Sequence, residues 1–352
     1  MDPNVLLPFL SSAISFIFAL LVFDQWLRRR RPYQLVWTLG LLWYGISAGT
    51  EFIGSLAGWN EPLYRAWYLF GAFGVAAFLG LGTVFLLSRT RFGYFVAFSV
   101  AAGGLFSVLS AAARAKEGDP ASSAALIAVV GLSMLGALAI AVATRRERRY
   151  AAPASAVLLA VASVAVSIIM WTIPIDAPGY AVAPDTGVPV GTALPPEVRI
   201  MTPPFNIFGA LVLVFGALYS AYIFMPKTRL LSVNSRIPIL GTLGRALAVV
   251  VNWFASIPAT ARAFRDGRLN SRVPATLLIA VGAFIPGVTS GLSRFGVTWG
   301  FFLGELLGIL FIFAGFLVSI EVFSDLRVPF TRIVFVRRPV PGDVVDTTSP
   351  PA

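Results

Sequence analysis

Four carboxylates stand inside long apolar stretches of the chain: Asp24, Glu51, Glu305 and Glu321. An ionisable side chain is expensive in such a setting and marks a candidate for ion, proton or ligand binding. Asp24 precedes Arg28 by four residues with the acid N-terminal, so the spacing predicts an ion pair on one helical face. Glu321 lies one turn from the end of the last stretch, near Asp325 and Arg327, and reads as structural. Glu51 and Glu305 each lie about two turns inside the outer end of their stretch, roughly 10 Å at 1.5 Å per residue. Tyr44, Ser47, Glu51 and Ser55 fall at i, i+3, i+4 spacing and make one polar stripe. The short link Gly58–Glu61 makes the next stretch an antiparallel neighbour and puts Arg65 at the depth of Glu51. Two arrangements follow: a Glu51–Arg65 clasp between helices, or an outward-facing pocket, lined by Tyr44, Ser47 and Arg65, where Glu51 takes a cation or exchanges a proton. Glu305 has only Arg294 near it in sequence. If its helix neighbours that of Glu51, two carboxylates share one low-dielectric site.

Much other chemistry is excluded. The chain has no His and no Cys, which removes disulfides, thiolate and imidazole metal ligands, His-ligated haem and Ser-His or Cys-His catalysis. A phosphate-binding Gly loop with Lys is missing. The two lysines, Lys116 and Lys227, lie in a loop and at a stretch end, so no mid-helix Schiff base is expected. Asp24 is the lone Asp inside a stretch, which excludes an intramembrane aspartyl pair. No metal and no cofactor is expected.

The elements that must position these residues follow from composition. Of 352 residues, 57% are hydrophobic and only 12% charged, against about 25% charged in soluble domains; mean hydropathy is +0.83. The expected fold is all-α, a polytopic transmembrane bundle of nine spans: Val5–Leu27, Gln34–Ala57, Pro62–Ser88, Phe92–Ala113, Ser122–Ala143, Ala151–Ile173, Pro204–Phe224, Val273–Leu292 and Val297–Phe323. Each can cross a hydrocarbon core of about 30 Å, and none alternates as a barrel strand does. With the N-terminus outside and the C-terminus cytoplasmic, 22 of the 27 Lys and Arg fall on cytoplasmic segments; only Arg65, Arg114, Lys116, Arg199 and Arg294 lie outside. That asymmetry sets orientation. The first stretch has an acidic N-terminal flank and basic residues after it, so it reads as a retained anchor. A plasma membrane, bacterial inner membrane in type, is the expected location.

The organisation divides into a seven-span bundle (residues 1–225) with a Pro-rich outer loop (174–203), a basic insert (226–272), a two-span hairpin (273–325) and a cytoplasmic tail (326–352) whose last dozen residues read as disordered. The tail carries a short β-like patch, Ile333–Val336. Within the insert, Ile237–Ile257 is apolar apart from Arg245 and Asn252. As a tenth span it would move eight arginines outside and erase the charge asymmetry, so a helix lying in the cytoplasmic interface is expected. Arg245, Asn252, Ser256 and Thr260 would form its polar side. The insert holds eight positive charges and one negative. Arg245, Arg262, Arg265, Arg268 and Arg272 are candidates for anionic lipid or an acidic partner protein; no nucleic-acid motif is present. Gly300, Gly304 and Gly308, with Gly71, Gly74, Gly80 and Gly82, predict close helix packing. Pro286, Gly287, Thr289 and Ser290 predict a kink. Trp59, Tyr64, Trp67 and Tyr68 at the outer end, and Trp26, Tyr33 and Trp37 at the inner end, read as an aromatic belt.

The turn Gly58-Trp59-Asn60-Glu61-Pro62, followed by Trp67-Tyr68-Leu69-Phe70-Gly71-Ala72, resembles uncharacterised multi-spanning bacterial membrane proteins, as does Ser293-Arg294-Phe295-Gly296. In such chains the link before the eighth span is shorter, so the basic insert reads as an addition. The resemblance implies no function and no site residue. The sequence therefore points first to a non-catalytic structural, sensory or accessory membrane component. The alternative is a small-molecule, ion or lipid transporter or binder with an outward pocket near Glu51. An intramembrane enzyme using carboxylates alone comes third.

Overall fold

A computed structural model describes residues 2–116, 118–175, 193–232, 238–293, 299–319, 325–327, 329, 331 and 334–336. Helices account for almost all of it. The first is α1 (Pro3–Arg29), started by the Asp2 side chain, which accepts from the Asn4 amide, and by Pro3 in its first turn. It stops at Arg30, which turns left-handed at φ 52°. Asp24 and Arg28 pair at 2.5 Å, as their spacing predicts. After α2 (Pro32–Ala57), Gly58 at φ 90° reverses the chain and Asn60 caps α3 (Glu61–Tyr68) by accepting from the Leu63 amide. The third span is not a uniform α-helix: Leu69–Val75 winds as a π-helix before α4 (Ala76–Leu86) resumes. Then come α5 (Gly93–Lys116), α6 (Ser123–Arg146), a 3₁₀ turn Arg148–Tyr150, α7 (Ala151–Thr172), the short α8 (Pro196–Arg199), α9 (Thr202–Phe224), α10 (Pro238–Arg265), α11 (Arg272–Ser293) and α12 (Trp299–Val318). Two short strands, β1 (Asp325–Arg327) and β2 (Val334–Val336), pair antiparallel with Leu326 opposite Phe335. The β-like patch expected in the tail is β2; Ile333, Glu321 and the last dozen residues lie outside the described residues.

Nine helical stretches among the described residues are long and apolar enough to cross a membrane. The number matches the expectation, but the membership differs. The stretch Leu247–Arg265 of α10 qualifies and α2 does not. The reason for α2 is physical: Gln34, Thr38, Ser47, Thr50 and Glu51 lower its hydropathy, and all are buried against protein rather than facing lipid. A span surrounded by other helices can carry polar residues that a lipid-facing span cannot.

The chain divides into two compact units, residues 1–216 with 281–312, and residues 217–280 with 313–352. In the first, α2 packs along α1, α3, the π segment and α4. Glycines set the closest approaches. A Cβ on Gly80 would come 2.8 Å from the Gly209 Cα, and a Cβ on Gly103 would come 2.7 Å from the Pro204 Cα. Between α11 and α12 the small-residue faces meet as expected: a Cβ on Gly308 would lie 2.6 Å from Pro286 Cγ, and Gly304 faces Thr289. The 193–201 end of the Pro-rich loop packs into the first unit. Leu194, Val198 and Ile200 are buried, Arg199 pairs with Asp119 at 2.7 Å, and Glu197 accepts from the Ser122 amide at 3.0 Å. Residues 176–192 lie outside the described part.

In the second unit, Ala221, Met225 and Val273 form a core with Tyr222, Phe224, Trp253, Leu269 and Leu277 packed on it. The polar side of α10 does not face water. Asn252 Oδ1 accepts from the Leu230 and Leu231 amides, its Nδ2 donates to Leu231 O, and Ser256 Oγ accepts from the Thr228 amide. These side chains hold the extended segment before the helix. Its outer face, Leu247, Val250, Phe254 and Ile257, is apolar and exposed.

Candidate functional site: a carboxyl pair between two helices

Glu51 is 1% exposed on α2. Its Oε1 accepts a 2.6 Å hydrogen bond from the indole Nε1 of Trp67. Trp67 reaches it because α3 runs back along α2 after the Gly58 reversal. Tyr44, two turns before Glu51, donates its hydroxyl to the backbone oxygen of Glu305 at 2.7 Å. This bond ties α2 to α12 across 261 residues of sequence. The Glu51 and Glu305 carboxyls consequently lie within hydrogen-bonding reach of one another. The adjacency that would make the two acids one site is present.

Neither acid takes part in a described ion pair. Glu51 Oε2 and Glu305 Oε2 are buried oxygens without a donor, and so is the hydroxyl of Ser55, one turn above Glu51 on the same stripe. The Trp59 indole nitrogen is buried and unpaired too; its ring packs on Gly54 and edge-on to Trp67 at 5.9 Å. Buried polar atoms are paired in folded proteins in more than nine cases of ten. Of these four orphans at the C-terminal end of α2 and around Glu305, the two carboxyl oxygens need a proton, a cation or a donor, whereas the Trp59 indole is itself a donor that needs an acceptor. Ionised carboxylates are acceptors only, so the Glu51–Glu305 contact requires a proton or a cation between them. No cluster of three or more acids able to hold a metal ion occurs among the described residues.

The Glu51–Arg65 clasp does not form. Arg65 is buried, but its guanidinium binds Glu61 at 2.6 Å, Ile173 O at 2.7 Å and Met170 O. Those carbonyls are the unpaired last acceptors of α7, and a cation at a helix C-terminus is favoured. Arg65 therefore locks α3 to the end of α7 and is not a pocket residue. Ser47 packs against Gly71, where a Cβ would come 2.5 Å from its hydroxyl. It lines the α2–π interface rather than the pair itself. Trp67, whose place near the end of its stretch reads as a belt aromatic, is instead the partner of Glu51. Other residues read as belt aromatics are buried as well: Tyr64 and Tyr68 beside Trp67, and Trp37 at the other end of α2, which donates to Leu79 O at 3.1 Å. The signal in the sequence is the short Gly58–Glu61 reversal, which brings the aromatic cluster 59–68 back alongside the Glu51 end of α2.

The insert arginines split. Arg262, Arg265 and Arg268 are exposed, with Arg268 paired to Asp266 at 2.6 Å. Arg272 instead stacks its guanidinium 4.1 Å over the Phe224 ring. The side chain of Arg245, and Arg294 altogether, lie outside the described residues.

A second recess lies in the first unit. An apolar cavity of about 180 Å³ is bounded by α5, α6, α7 and α9. Its only polar side chains, Ser133 and Ser155, donate to carbonyls of their own helices. No protein-family model matches the chain, and neither a curated protein nor a solved structure matches it.

Proposed function

We propose that this multi-pass membrane protein is a non-enzymatic binder or transporter of a small cation or proton, with the Glu51–Glu305 pair as its site. The observation that carries this reading is the pair's unmet need for a donor: two facing carboxyls, orphaned oxygens around them, and no basic side chain among the described residues. Trp67 orients Glu51, and Tyr44 fixes the level of α12. A purely structural role would be served by an Arg partner, and Arg65, which the spacing puts at this depth, is engaged elsewhere.

The site also supports a threading of the chain. Glu51 is six residues from the end of α2, about 9 Å. From Glu305, α12 runs six residues one way and thirteen apolar residues, about 20 Å, the other. The long arm fits in hydrocarbon only if the start of α12 and the end of α2 share one side. An even number of crossings must then lie between them. The third to eighth spans make six, and a crossing α10 would make seven. This favours α10 lying along the interface, consistent with the 22-to-5 charge asymmetry, an outside N-terminus and a plasma-membrane location.

The test is the full-length protein in liposomes loaded with a pH-sensitive dye, under a sodium or potassium gradient. Cation-driven proton movement is expected from the wild type and its loss from Glu51→Gln and from Glu305→Gln, with both variants still monodisperse and helical. Flux indifferent to both substitutions would overturn the reading. An accessory role is supported by the exposed Arg262, Arg265 and Arg268. On that reading, changing these three to Gln releases a co-purifying acidic partner while Glu51→Gln leaves it bound.

A further inference from the structure

The cavity between α5, α6, α7 and α9 is a lipid site, and we infer that it holds one acyl chain of an anionic phospholipid whose phosphate sits on Arg145, Arg146 and Arg148. Its wall is apolar apart from Ser133 and Ser155, with Ile140, Leu159, Val166 and Phe208 among its lining residues. At about 180 Å³ it exceeds the roughly 150 Å³ apolar cavity that takes up benzene and stays dry. It has no unpaired polar atom to hold water, because both lining hydroxyls are bonded within their own helices. An empty void of this size forfeits dispersion contacts on every wall.

The cavity opens sideways. Leu132, which lines it, is 67% exposed, and Ala165 on its other lip is exposed as well. In a span, such a face meets lipid, so lipid tails are the molecules at the entrance. The groove runs along α6 from Val129 to Ile140, about 16 Å at 1.5 Å per residue. One end lies about a turn and a half from the α6–α7 connection: five residues separate Ile140 from Arg145, and six separate Ser155 from Arg149. That connection carries four exposed arginines. Arg149 is paired with Glu147 at 2.7 Å, whereas Arg145, Arg146 and Arg148 enter no ion pair among the described residues. Moving a chain from lipid into an apolar groove brings no hydrophobic gain, since lipid tails are equally apolar. Selection therefore falls to the headgroup, and three guanidiniums at interface depth select an anion.

The experiment is native mass spectrometry on the full-length protein, offered equal amounts of phosphatidylglycerol and phosphatidylcholine with identical chains. The wild type is expected to retain one phosphatidylglycerol with at least a tenfold preference. The triple variant Arg145→Gln, Arg146→Gln, Arg148→Gln should bind both lipids equally. Ala165→Phe, a change on the lipid-facing lip that leaves the helix contacts in place, should lose both. Excess inorganic phosphate should leave the lipid bound. Equal retention of the two lipids by the wild type would overturn the inference without reference to any variant. Undiminished binding to Ala165→Phe, displacement by phosphate, or a lipid-free dimer seated on this face would do the same.

Discussion

Trp67 and Arg65 sit two positions apart on α3, yet the side chains serve different partners. Trp67 donates to Glu51, and Arg65 turns to Glu61 and the last carbonyls of α7. The separation predicts distinct outcomes. Trp67→Phe keeps the ring and removes one hydrogen bond to a carboxylate, worth about 1.5–3 kcal/mol. The expected result is a roughly tenfold or greater weakening of cation-driven proton flux with little loss of thermal stability. Arg65→Ala leaves the Met170 and Ile173 carbonyls without their donor, while the half-exposed Glu61 is free to meet water, and should cost about 2 kcal/mol of stability, read as a lower unfolding midpoint in detergent. A double-mutant cycle between Arg65 and Glu51 should give a coupling near zero, while one between Arg65 and Glu61 should not. Coupling between Arg65 and Glu51 would restore the clasp that the spacing alone suggested.

At the scale of elements, the third span is the informative one. Its π segment Leu69–Val75 joins the half that carries Trp67 to the half that packs on α9. A π turn holds an extra residue per turn relative to α and recurs at functional sites. Inserting one alanine after Ala72 adds a residue that the π turn does not absorb and should rotate α3 by about 100° relative to α4, one residue in a 3.6-residue turn. Trp67 would then leave Glu51, and the flux phenotype should match that of Trp67→Phe. An insertion variant that is folded and fully active would show that the register of this segment does not position the site. In α10, Asn252→Ala removes the acceptor for two amides and should destabilise the second unit by about 2 kcal/mol. Increased hydrogen exchange at Leu230 and Leu231 would report it.

For the whole molecule, threading is the property on which an outward-facing site depends. The chain has no Cys, so single cysteines report cleanly. With the proposed threading, Lys116→Cys reacts with an impermeant maleimide on intact cells and Ser232→Cys reacts only after lysis. Labelling of Ser232→Cys from outside would reverse the placement of α10 and the basic insert. The two sites argued from the structure are independent at this scale: the carboxyl pair uses α2 and α12, the lipid groove α5, α6, α7 and α9. Filling the groove should leave Glu51-dependent flux intact if the chain in it is structural.

Composition and charge alone determined that this is a helical membrane protein and which residues merited attention. Long apolar runs without strand alternation satisfy their backbone in hydrocarbon only as helices, and guanidinium distribution is written along the chain. Glu51 and Glu305 were legible as anomalies for the same reason, and Asp24–Arg28 as a pair because its two members share a helix face. Only the tertiary structure decided what the anomalies mean. It put Glu305 against Glu51, gave Glu51 the Trp67 indole, and sent Arg65 to α7. Local spacing constrains partners within one helix. Which faces of separate helices meet depends on glycine contacts such as Gly80 on Gly209 and on a π turn, and neither leaves a periodic signal in the order of residues.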